Sequence, residues 1–236
     1  MTKKYSNNFN PLKRRKSFIK YIILHYTGMK KESKAIERLC NTQTKVSSHY
    51  FIKNSGEVLT LVPDLYEAWH AGKSSWKNLK SLNKNSIGIE INNPGHDFGY
   101  KNFRFKQILS LKKLLKYLIK KYGIKKENIL GHSDIAPYRK KDPGEKFPWN
   151  DLYKNDLCHG HNLDKKIIKR FRKIKLNSTE EKKFLENLHK IGYARINIKQ
   201  FDKNKIILVK AFQRRFRQDL VDGKIDKECF LISKNL

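Results

Sequence analysis

Two histidines and one aspartate follow apolar segments closely enough for a folded chain to bring them together. His25 lies at the end of the β-branched run 21–26, His132 follows the short apolar segment 128–131, and Asp142 lies in the next loop. Two imidazoles and a carboxylate make a three-ligand set for zinc that leaves a fourth position open for water. An open position is typical of catalytic zinc. For each residue taken singly, a buried and hydrogen-bonded side chain is the alternative.

A second carboxylate and a lysine could act at the same place. Glu90 lies in the strand-like segment 86–92, where a period of two puts the isoleucines on one face and Glu90 on the other. Such a carboxylate is costly unless it is paired, solvated at a pocket or held near a metal ion. Lys140 precedes Asp142 by two residues, so an extended loop can direct both to one site. A salt bridge to one of the many lysines is the alternative for Glu90.

The segments that must position these residues alternate between strand and helix patterns. Strand patterns cover residues 21–26, 48–53, 58–62, 86–92 and 128–131, and helical periods cover 35–40 and 108–122. The tetrapeptide 54–57 predicts a hairpin turn, and Gly123 predicts the end of the long helix. Helices mixed with strands over about 155 residues predict an α/β domain.

The pattern changes after Trp149. Residues 158–177 are rich in basic residues and are interpreted as a linker, and residues 178–236 predict a small domain of three helices. Ser178–Glu181 predicts a capping box at the first of these helices, and Asp226 predicts the cap of the third. The predicted organisation is therefore a catalytic domain over residues 1–157, a basic linker, and a tail that we expect to fold by itself.

The composition is that of a folded protein with a strong basic charge. The chain has 236 residues, of which 38% are hydrophobic, and its 53 Lys and Arg against 22 Asp and Glu give a net charge of +31. This apolar content excludes disorder over the full length. Three separated cysteines exclude a disulfide scaffold and a four-thiolate zinc site. The charge fits a polyanionic partner, such as nucleic acid, an anionic membrane or a cell wall, or a compositional drift towards lysine.

No apolar run approaches the roughly 20 residues of a membrane-spanning helix. The basic residues 13–16 are not followed by the long apolar region of a signal peptide, so an export signal is not visible in the sequence.

Six short motifs occur in order between residues 20 and 150. They are ILHYT at 23–27, VSSHYFI at 46–52, AWHAG at 68–72, SIGIEI at 86–91, GHSDIAP at 131–137 and KKDPG at 140–144. Together they resemble zinc-dependent N-acetylmuramoyl-L-alanine amidases of the type 2 family, which is related to T7-type lysozyme and the peptidoglycan recognition proteins. The resemblance implies a mixed β-sheet flanked by helices, with one zinc ion held by His25, His132 and Asp142. It also implies that Glu90 and Lys140 are the catalytic pair.

Three further residues are candidates for substrate binding. His49 falls where related enzymes place a polar group near the metal. Trp69 and His70 lie on a loop and could line the substrate groove, although a packed Trp69 is the alternative.

Other histidines carry weaker signals. Cys158, His159 and His161 have the side chains of metal ligands, but such close neighbours rarely share one tetrahedral zinc ion, so we expect them to belong to the linker. His96 and His189 have no motif around them and are expected at the surface.

The tail carries a second resemblance. Its segments 191–193, 209–216 and 222–226 look like the three-helix peptidoglycan-binding domain that is often fused to such amidases. The alternative is a helical bundle that only packs against the catalytic domain.

The function implied by the resemblance is hydrolysis of the amide between N-acetylmuramic acid, or its 1,6-anhydro form, and L-alanine of the stem peptide. The expected partners are peptidoglycan or muropeptides, with no specific nucleic acid, and the expected state is a monomer. A non-catalytic peptidoglycan recognition module is the alternative, and a nucleic-acid-binding protein is supported by charge alone. A wall-binding tail favours the cell envelope, whereas the absence of a visible signal peptide favours the cytoplasm.

Overall fold

The computed structural model describes residues 1–195 and 201–236. The strands are β1 (Thr2–Lys3), β2 (Phe9–Asn10), β3 (Tyr21–Tyr26), β4 (Tyr50–Ile52), β5 (Val58–Thr60), β6 (Glu67–Ala68), β7 (Ser75–Trp76), β8 (Leu79–Lys80), β9 (Ser86–Ile91) and β10 (Ile129–Gly131). The α-helices are α1 (Glu32–Cys40), α2 (Phe105–Tyr122), α3 (His132–Ile135), α4 (Trp149–Lys154), α5 (Lys165–Ile168), α6 (Ser178–Ile191), α7 (Phe201–Phe216) and α8 (Lys227–Lys234).

One mixed sheet of six strands organises the fold, in the order β1-β5-β4-β9-β3-β10. The pair β4–β5 is antiparallel, and the other four neighbouring pairs are parallel. Strands β4, β9, β3 and β10 therefore end at the same edge of the sheet, which is where loops of α/β proteins gather functional side chains. The α/β fold with a mixed sheet and flanking helices is confirmed.

The first face of the sheet packs against α2. Alternate residues of β9, namely Ile87, Ile89 and Ile91, join Leu111 and Leu115 of the helix in one buried cluster. The helix forms because its apolar residues recur every three or four positions, and Gly123 ends it in the left-handed conformation with φ +63°. The predicted long helix and the predicted face of β9 are both confirmed.

The second face of the sheet is shared by two groups of helices. Helix α1 packs on the half formed by β4 and β5, through residues such as Ile36 and Phe51. The C-terminal helices pack on the half formed by β3 and β10, where Ile23 and Leu130 share a buried cluster with Phe212. Between these two groups the carboxyl ends of the strands stay accessible, and this opening holds the candidate site.

The C-terminal helices are present as the sequence predicts, but they share their core with the sheet. Leu188 of α6 and Phe212 of α7 are fully buried in the same cluster as Ile23 of β3. Independent folding of the tail stays a prediction, and this shared core argues against it because a separated tail would expose those side chains to water.

Several local details differ from the sequence-based expectations. Helix α6 is capped by Asn177, whose side chain accepts from the backbone N–H of Glu180 at 2.8 Å, rather than by Ser178. His132 begins the short helix α3 instead of entering a loop. The N-terminal strands β1 and β2 had no sequence signal, because a two-residue strand is too short for a period to show.

None of the helices in the described ranges is long and apolar enough to cross a membrane.

Candidate metal centre and active site

Strand register brings the key side chains to one face and one edge of the sheet. His25 of β3 pairs with Glu90 of β9, and Glu90 pairs with Phe51 of β4, so the three side chains lie on the same face. Gly131, the last residue of β10, pairs with Leu24, so the next residue, His132, arrives beside His25. The geometry follows directly from parallel pairing of three neighbouring strands.

Three buried ligand atoms converge at this edge. The Nδ1 atoms of His25 and His132 lie 2.9 Å apart, and each lies 3.0 Å from Oδ2 of Asp142. The three side chains are buried, with residue exposures of 1%, 3% and 5%. Among the described residues they form the one cluster of His, Cys, Asp and Glu that could hold a metal ion.

The arrangement of the three side chains fits a shared metal ion better than hydrogen bonds among the side chains themselves. Two ring nitrogens and one carboxylate oxygen all face a common point, and the ligand atoms of a tetrahedral zinc site with bonds of about 2.0 Å lie roughly 3.3 Å apart. The observed separations of 2.9 to 3.0 Å are close to this value. The cluster is thus consistent with a metal site of two imidazoles and one carboxylate.

The protonation of His25 and Asp142 suits the same role, since metal ligands must be free of protons. Burial lowers the pKa of His25 to about 4, and repulsion from His132 acts in the same direction. For Asp142, burial would raise the pKa, but the two neighbouring imidazoles outweigh it and hold the carboxyl well below its usual range.

The far side of each imidazole is held by a hydrogen bond that fixes which nitrogen faces the metal position. With Nδ1 of His25 facing that position, its Nε2–H donates to Nδ1 of His70 at 3.1 Å. His70 then donates from Nε2 to Oγ of Ser86 at 3.2 Å, and Ser86 donates to the carbonyl of Leu82 at 2.7 Å. Partners of this kind fix the orientation and tautomer of metal-binding histidines.

The ring of His70 lies where strand β9 has no side chain. A Cβ atom built on Gly88 would lie 2.4 Å from Cγ of His70, closer than real contacts allow. Only glycine at this position lets the imidazole pack on the strand and reach His25. His132 is held more simply, since its Nε2–H faces the carbonyl of Ala71 at 3.3 Å.

Glu90 and Lys140 line the same cavity as His25, His132 and Asp142. The cavity has a volume of about 330 Å³ and opens between α1 and the loops that follow β6 and α3. Burial raises the pKa of the Glu90 carboxyl well above its usual range, repulsion from Asp142 adds to this, and Lys140 opposes it. One carboxylate oxygen of Glu90, Oε2, is buried without a hydrogen-bond partner in the described parts of the chain.

The cavity has a cationic rim. Four of its lining residues are basic, namely Arg38, Arg139, Lys140 and Lys141. Trp69 also lines the cavity and is half-buried, so an apolar surface lies beside these cations. A cavity of this kind suits a ligand that carries both carboxylates and apolar groups.

His49 is placed differently from the sequence-based expectation. It is fully buried and does not line the cavity. Its Nδ1 accepts from the backbone N–H of Gly88 at 2.9 Å, and its Nε2 lies 3.0 Å from the carbonyl of Tyr66 and 2.9 Å from Arg14. These contacts are those of a residue that supports β9, and a contact of His49 with a substrate stays a prediction.

His70, predicted to bind substrate, lies at the cavity but is almost fully buried. It lines the cavity, as expected, but it is only 9% exposed and its two ring nitrogens are occupied by His25 and Ser86. Its contacts orient His25 more than they offer a surface to a ligand.

The histidines outside the motifs contact other parts of the chain and do not join the candidate site. His159 and His161 face the carbonyls of Leu236 and Phe216, and Cys158 is buried in the first core cluster, so the three do not converge. His96 is half-buried rather than exposed, because its ring stacks on Tyr100 with centroids 4.4 Å apart.

Sequence reasoning missed two basic residues near the site. Arg139 lies directly before Lys140, and its guanidinium bonds to the carbonyl of Ala71 and lies 3.1 Å from Nε2 of His132. Arg14 is 7% exposed and donates to the carbonyls of Asp64 and Ser86. Position next to Lys140 was a usable signal for Arg139, whereas Arg14 looked like one more residue of a basic run.

Comparison with known proteins identifies related sequences. The Amidase_2 family model, described as N-acetylmuramoyl-L-alanine amidase, matches residues 14–145. The chain is similar to N-acetylmuramoyl-L-alanine amidase AmiD of Escherichia coli, with 32% identity over 231 residues that cover 92% of this chain and 82% of AmiD. It is also 39% identical to 1,6-anhydro-N-acetylmuramyl-L-alanine amidase AmpD of Citrobacter freundii over 106 residues. These residues cover 44% of this chain and 54% of AmpD.

Solved structures show the same similarity over nearly the whole chain. Escherichia coli AmiD in complex with anhydro-N-acetylmuramic acid-L-Ala-D-γ-Glu-L-Lys matches with a TM-score of 0.82 and 31% identity, over 96% of this chain and 91% of that one. AmpDh3 of Pseudomonas aeruginosa matches with a TM-score of 0.81 and 30% identity, over 96% of this chain and 93% of that one.

Proposed function

Because the chain belongs to the N-acetylmuramoyl-L-alanine amidase family, we propose that it cleaves 1,6-anhydro-muropeptides with the help of one zinc ion held by His25, His132 and Asp142. As an N-acetylmuramoyl-L-alanine amidase, it hydrolyses the amide between N-acetylmuramic acid and L-alanine of the stem peptide. The convergence of the three ligand atoms in the cavity that also holds Glu90 and Lys140 carries the proposal.

Zinc is the metal that the donor set favours. Two neutral imidazoles and one carboxylate suit a tetrahedral catalytic zinc ion, whereas magnesium and calcium prefer sites made of oxygen ligands. A bound zinc ion supplies Lewis acidity towards the substrate carbonyl and activates water for attack on it. The buried His70 keeps the imidazole of His25 in the orientation that metal binding needs, and the carbonyl of Ala71 does the same for His132.

Glu90 is proposed as the group that moves the proton. Its carboxylate accepts a proton from the attacking water and returns it to the nitrogen of the leaving amine. A raised pKa brings a carboxyl closer to neutral pH, where it can both accept and give up a proton. The buried oxygen Oε2, which lacks a partner among the described residues, is available for this contact.

Lys140 is proposed to stabilise the negative charge that develops on the carbonyl oxygen. Its ammonium group belongs to the same cavity and acts electrostatically on both His25 and Glu90. A fixed positive charge at the developing oxyanion lowers the energy of the transition state more than that of the substrate.

The remaining lining residues are proposed to bind the muropeptide. Arg38, Arg139 and Lys141 can pair with carboxylates of the stem peptide, and Trp69 offers an apolar surface for the sugar. The choice of the 1,6-anhydro form is supported by AmiD, whose structure contains an anhydro-muramyl peptide, and by AmpD, whose name specifies that substrate.

The substrate assignment predicts a specific pair of products. We expect the purified enzyme to convert anhydro-N-acetylmuramyl-L-Ala-D-γ-Glu-L-Lys into free anhydro-N-acetylmuramic acid and the free tripeptide, both measurable by mass spectrometry. The matched substrate with an unmodified reducing sugar is expected to react more slowly. Equal rates for both sugars would refute the anhydro preference while leaving the amidase activity intact.

We also propose that the tail, residues 178–236, binds the cell wall. Its resemblance to peptidoglycan-binding domains supports this, and binding would raise the local concentration of the enzyme at its substrate. The basic charge is a competing cause of binding, since a polycation attaches to an anionic wall at low salt.

Binding to purified sacculi is therefore expected to survive high salt. The full chain carrying Glu90→Gln, which prevents digestion, should sediment with sacculi at about 0.5 M salt, where the Debye length is roughly 4 to 5 Å. Retention on DNA-coated beads under the same conditions serves as the control for charge, and we expect none. Release from sacculi at this salt would leave charge as the sole cause of binding.

A further inference from the structure

Asp134 lies two residues after His132 and joins this part of the chain to the C-terminal helices. Its side chain is 1% exposed, and both carboxylate oxygens are bonded. Oδ2 accepts from the backbone N–H of Gly131 at 2.7 Å and from Arg215 at 2.7 Å, and Oδ1 accepts from the hydroxyl of Tyr193 at 2.8 Å. Two of these three donors belong to the tail.

Arg215 contacts the chain on both sides of His132. It pairs with Asp134, which follows His132, and it donates to the carbonyl of Ile129, which precedes it, at 2.9 Å. The guanidinium lies 4.3 Å from the ring centroid of Trp149, and the residue is 5% exposed. Because a guanidinium is planar and its donors are fixed, these two contacts set the separation of Ile129 and Asp134.

A second contact of the tail reaches the loop that carries Asp142. The side-chain amide of Gln218 donates to the carbonyls of Glu145 at 2.6 Å and Phe147 at 2.5 Å. The backbone N–H of Ser133 donates to the carbonyl of Asp142 at 2.8 Å, so this loop is also tied to α3. The end of α7 and the residues after it thus contact both segments that carry ligands.

We propose that the C-terminal tail positions two of the three metal-binding side chains. Arg215 acts through Asp134 on His132, and Gln218 acts through the backbone of residues 145–147 on Asp142. Both are positioning residues, because their contacts are with neighbouring protein groups. The inference rests on the proposed metal site and gives the tail a role in that site which is separate from wall binding.

The test compares zinc affinity in two full-length variants of buried arginines on the same part of the chain. Arg215→Lys keeps the charge but loses the planar fork, so its zinc dissociation constant should rise about 10- to 100-fold, the cost typical of changes behind metal ligands. Arg217→Lys is the control, because Arg217 is 2% exposed and pairs with Asp222 and Asp226 inside the tail. Its zinc affinity should match that of the parent.

Zinc affinity is measured by competition with a chromogenic chelator, and thermal unfolding is measured in parallel. A visible spectrum of the cobalt-loaded protein that changes in Arg215→Lys alone would support altered ligand geometry. Equal zinc affinity of Arg215→Lys and the parent, or an equal loss in Arg217→Lys, would overturn the proposal.

Gln218→Ala decides the matter where Arg215→Lys does not fold, since Gln218 is partly exposed and its loss leaves no buried charge. We expect weaker zinc binding, and unchanged affinity would overturn the proposal. The parent is titrated first. A parent that binds no zinc would refute the proposed metal site itself, whereas a parent that binds zinc together with an insensitive tail would refute only this inference.

Discussion

Glu90→Gln is expected to lower kcat for muropeptide cleavage by about 10² to 10⁴-fold while the protein keeps its zinc. Glutamine preserves the size and polarity of the side chain but cannot accept the proton of the attacking water. Because Glu90 lies beside the ligand cluster without bonding to its ligand atoms, metal content should stay at the level of the parent. Release of the peptide is followed by mass spectrometry, and zinc by elemental analysis.

A matched control separates chemistry from folding. Glu228 is a buried glutamate of the tail, 2% exposed and paired with Arg172, and it lies outside the cavity of the site. Glu228→Gln should keep kcat on a soluble muropeptide. Near-parental turnover in Glu90→Gln would remove Glu90 from the reaction and leave it a structural residue.

Asp142→Asn is expected to weaken zinc binding and to remove most activity. The loss of affinity should exceed the about 10- to 100-fold loss that is typical when a residue hydrogen-bonded to a metal ligand is changed. The amide keeps the shape of the side chain but lacks the negative charge that holds the cation. Zinc content after dialysis and the dissociation constant from chelator competition measure the effect.

Asp64→Asn is the control for loss of a buried carboxylate. Asp64 is 7% exposed, against 5% for Asp142, and its partners are the hydroxyls of Tyr50 and Tyr122 and the ammonium of Lys121. Loss of those contacts is expected to lower the stability of this variant and to leave its zinc affinity unchanged. An Asp142→Asn protein with parental zinc affinity would exclude Asp142 as a ligand.

The strands, and the positions of His25 and Glu90 on them, could be predicted because they depend on short-range patterns. A period of two in β9 placed Glu90 opposite its apolar neighbours, and the end of the apolar run in β3 placed His25 at the edge of the sheet. Parallel pairing then made the convergence of His25 and His132 a consequence of register. The family resemblance supplied what these patterns lacked, namely which of several histidines belong together.

The layer behind the ligands could not be predicted, because it depends on contacts that are distant in sequence. His70 reaches His25 across 45 positions and needs the missing side chain of Gly88, which by itself looked like an ordinary strand residue. Arg215 pairs with Asp134 across 81 positions, although both residues looked unremarkable in their local segments. A pattern within one element carries no information about such partners.

The surroundings of His49 also could not be predicted from its own segment of the sequence. The family resemblance suggested a polar group near the metal, and in the structure the His49 ring bonds to the backbone N–H of Gly88 and packs against His70, with ring centroids 5.6 Å apart. Burial in that layer lowers the pKa of His49 to about 3, which keeps the imidazole neutral and able to accept that hydrogen bond. The partners of His49, namely Gly88, Tyr66 and Arg14, are all distant in sequence, so no local pattern predicted them.

Removal and return of zinc tests the central claim most directly. The purified full chain is treated exhaustively with a chelator, and cleavage of anhydro-N-acetylmuramyl-L-Ala-D-γ-Glu-L-Lys is measured before treatment, after it, and after titration with zinc. We predict that activity is lost on chelation and returns in full at one zinc ion per chain. Full activity in protein that contains no metal by elemental analysis would contradict the account.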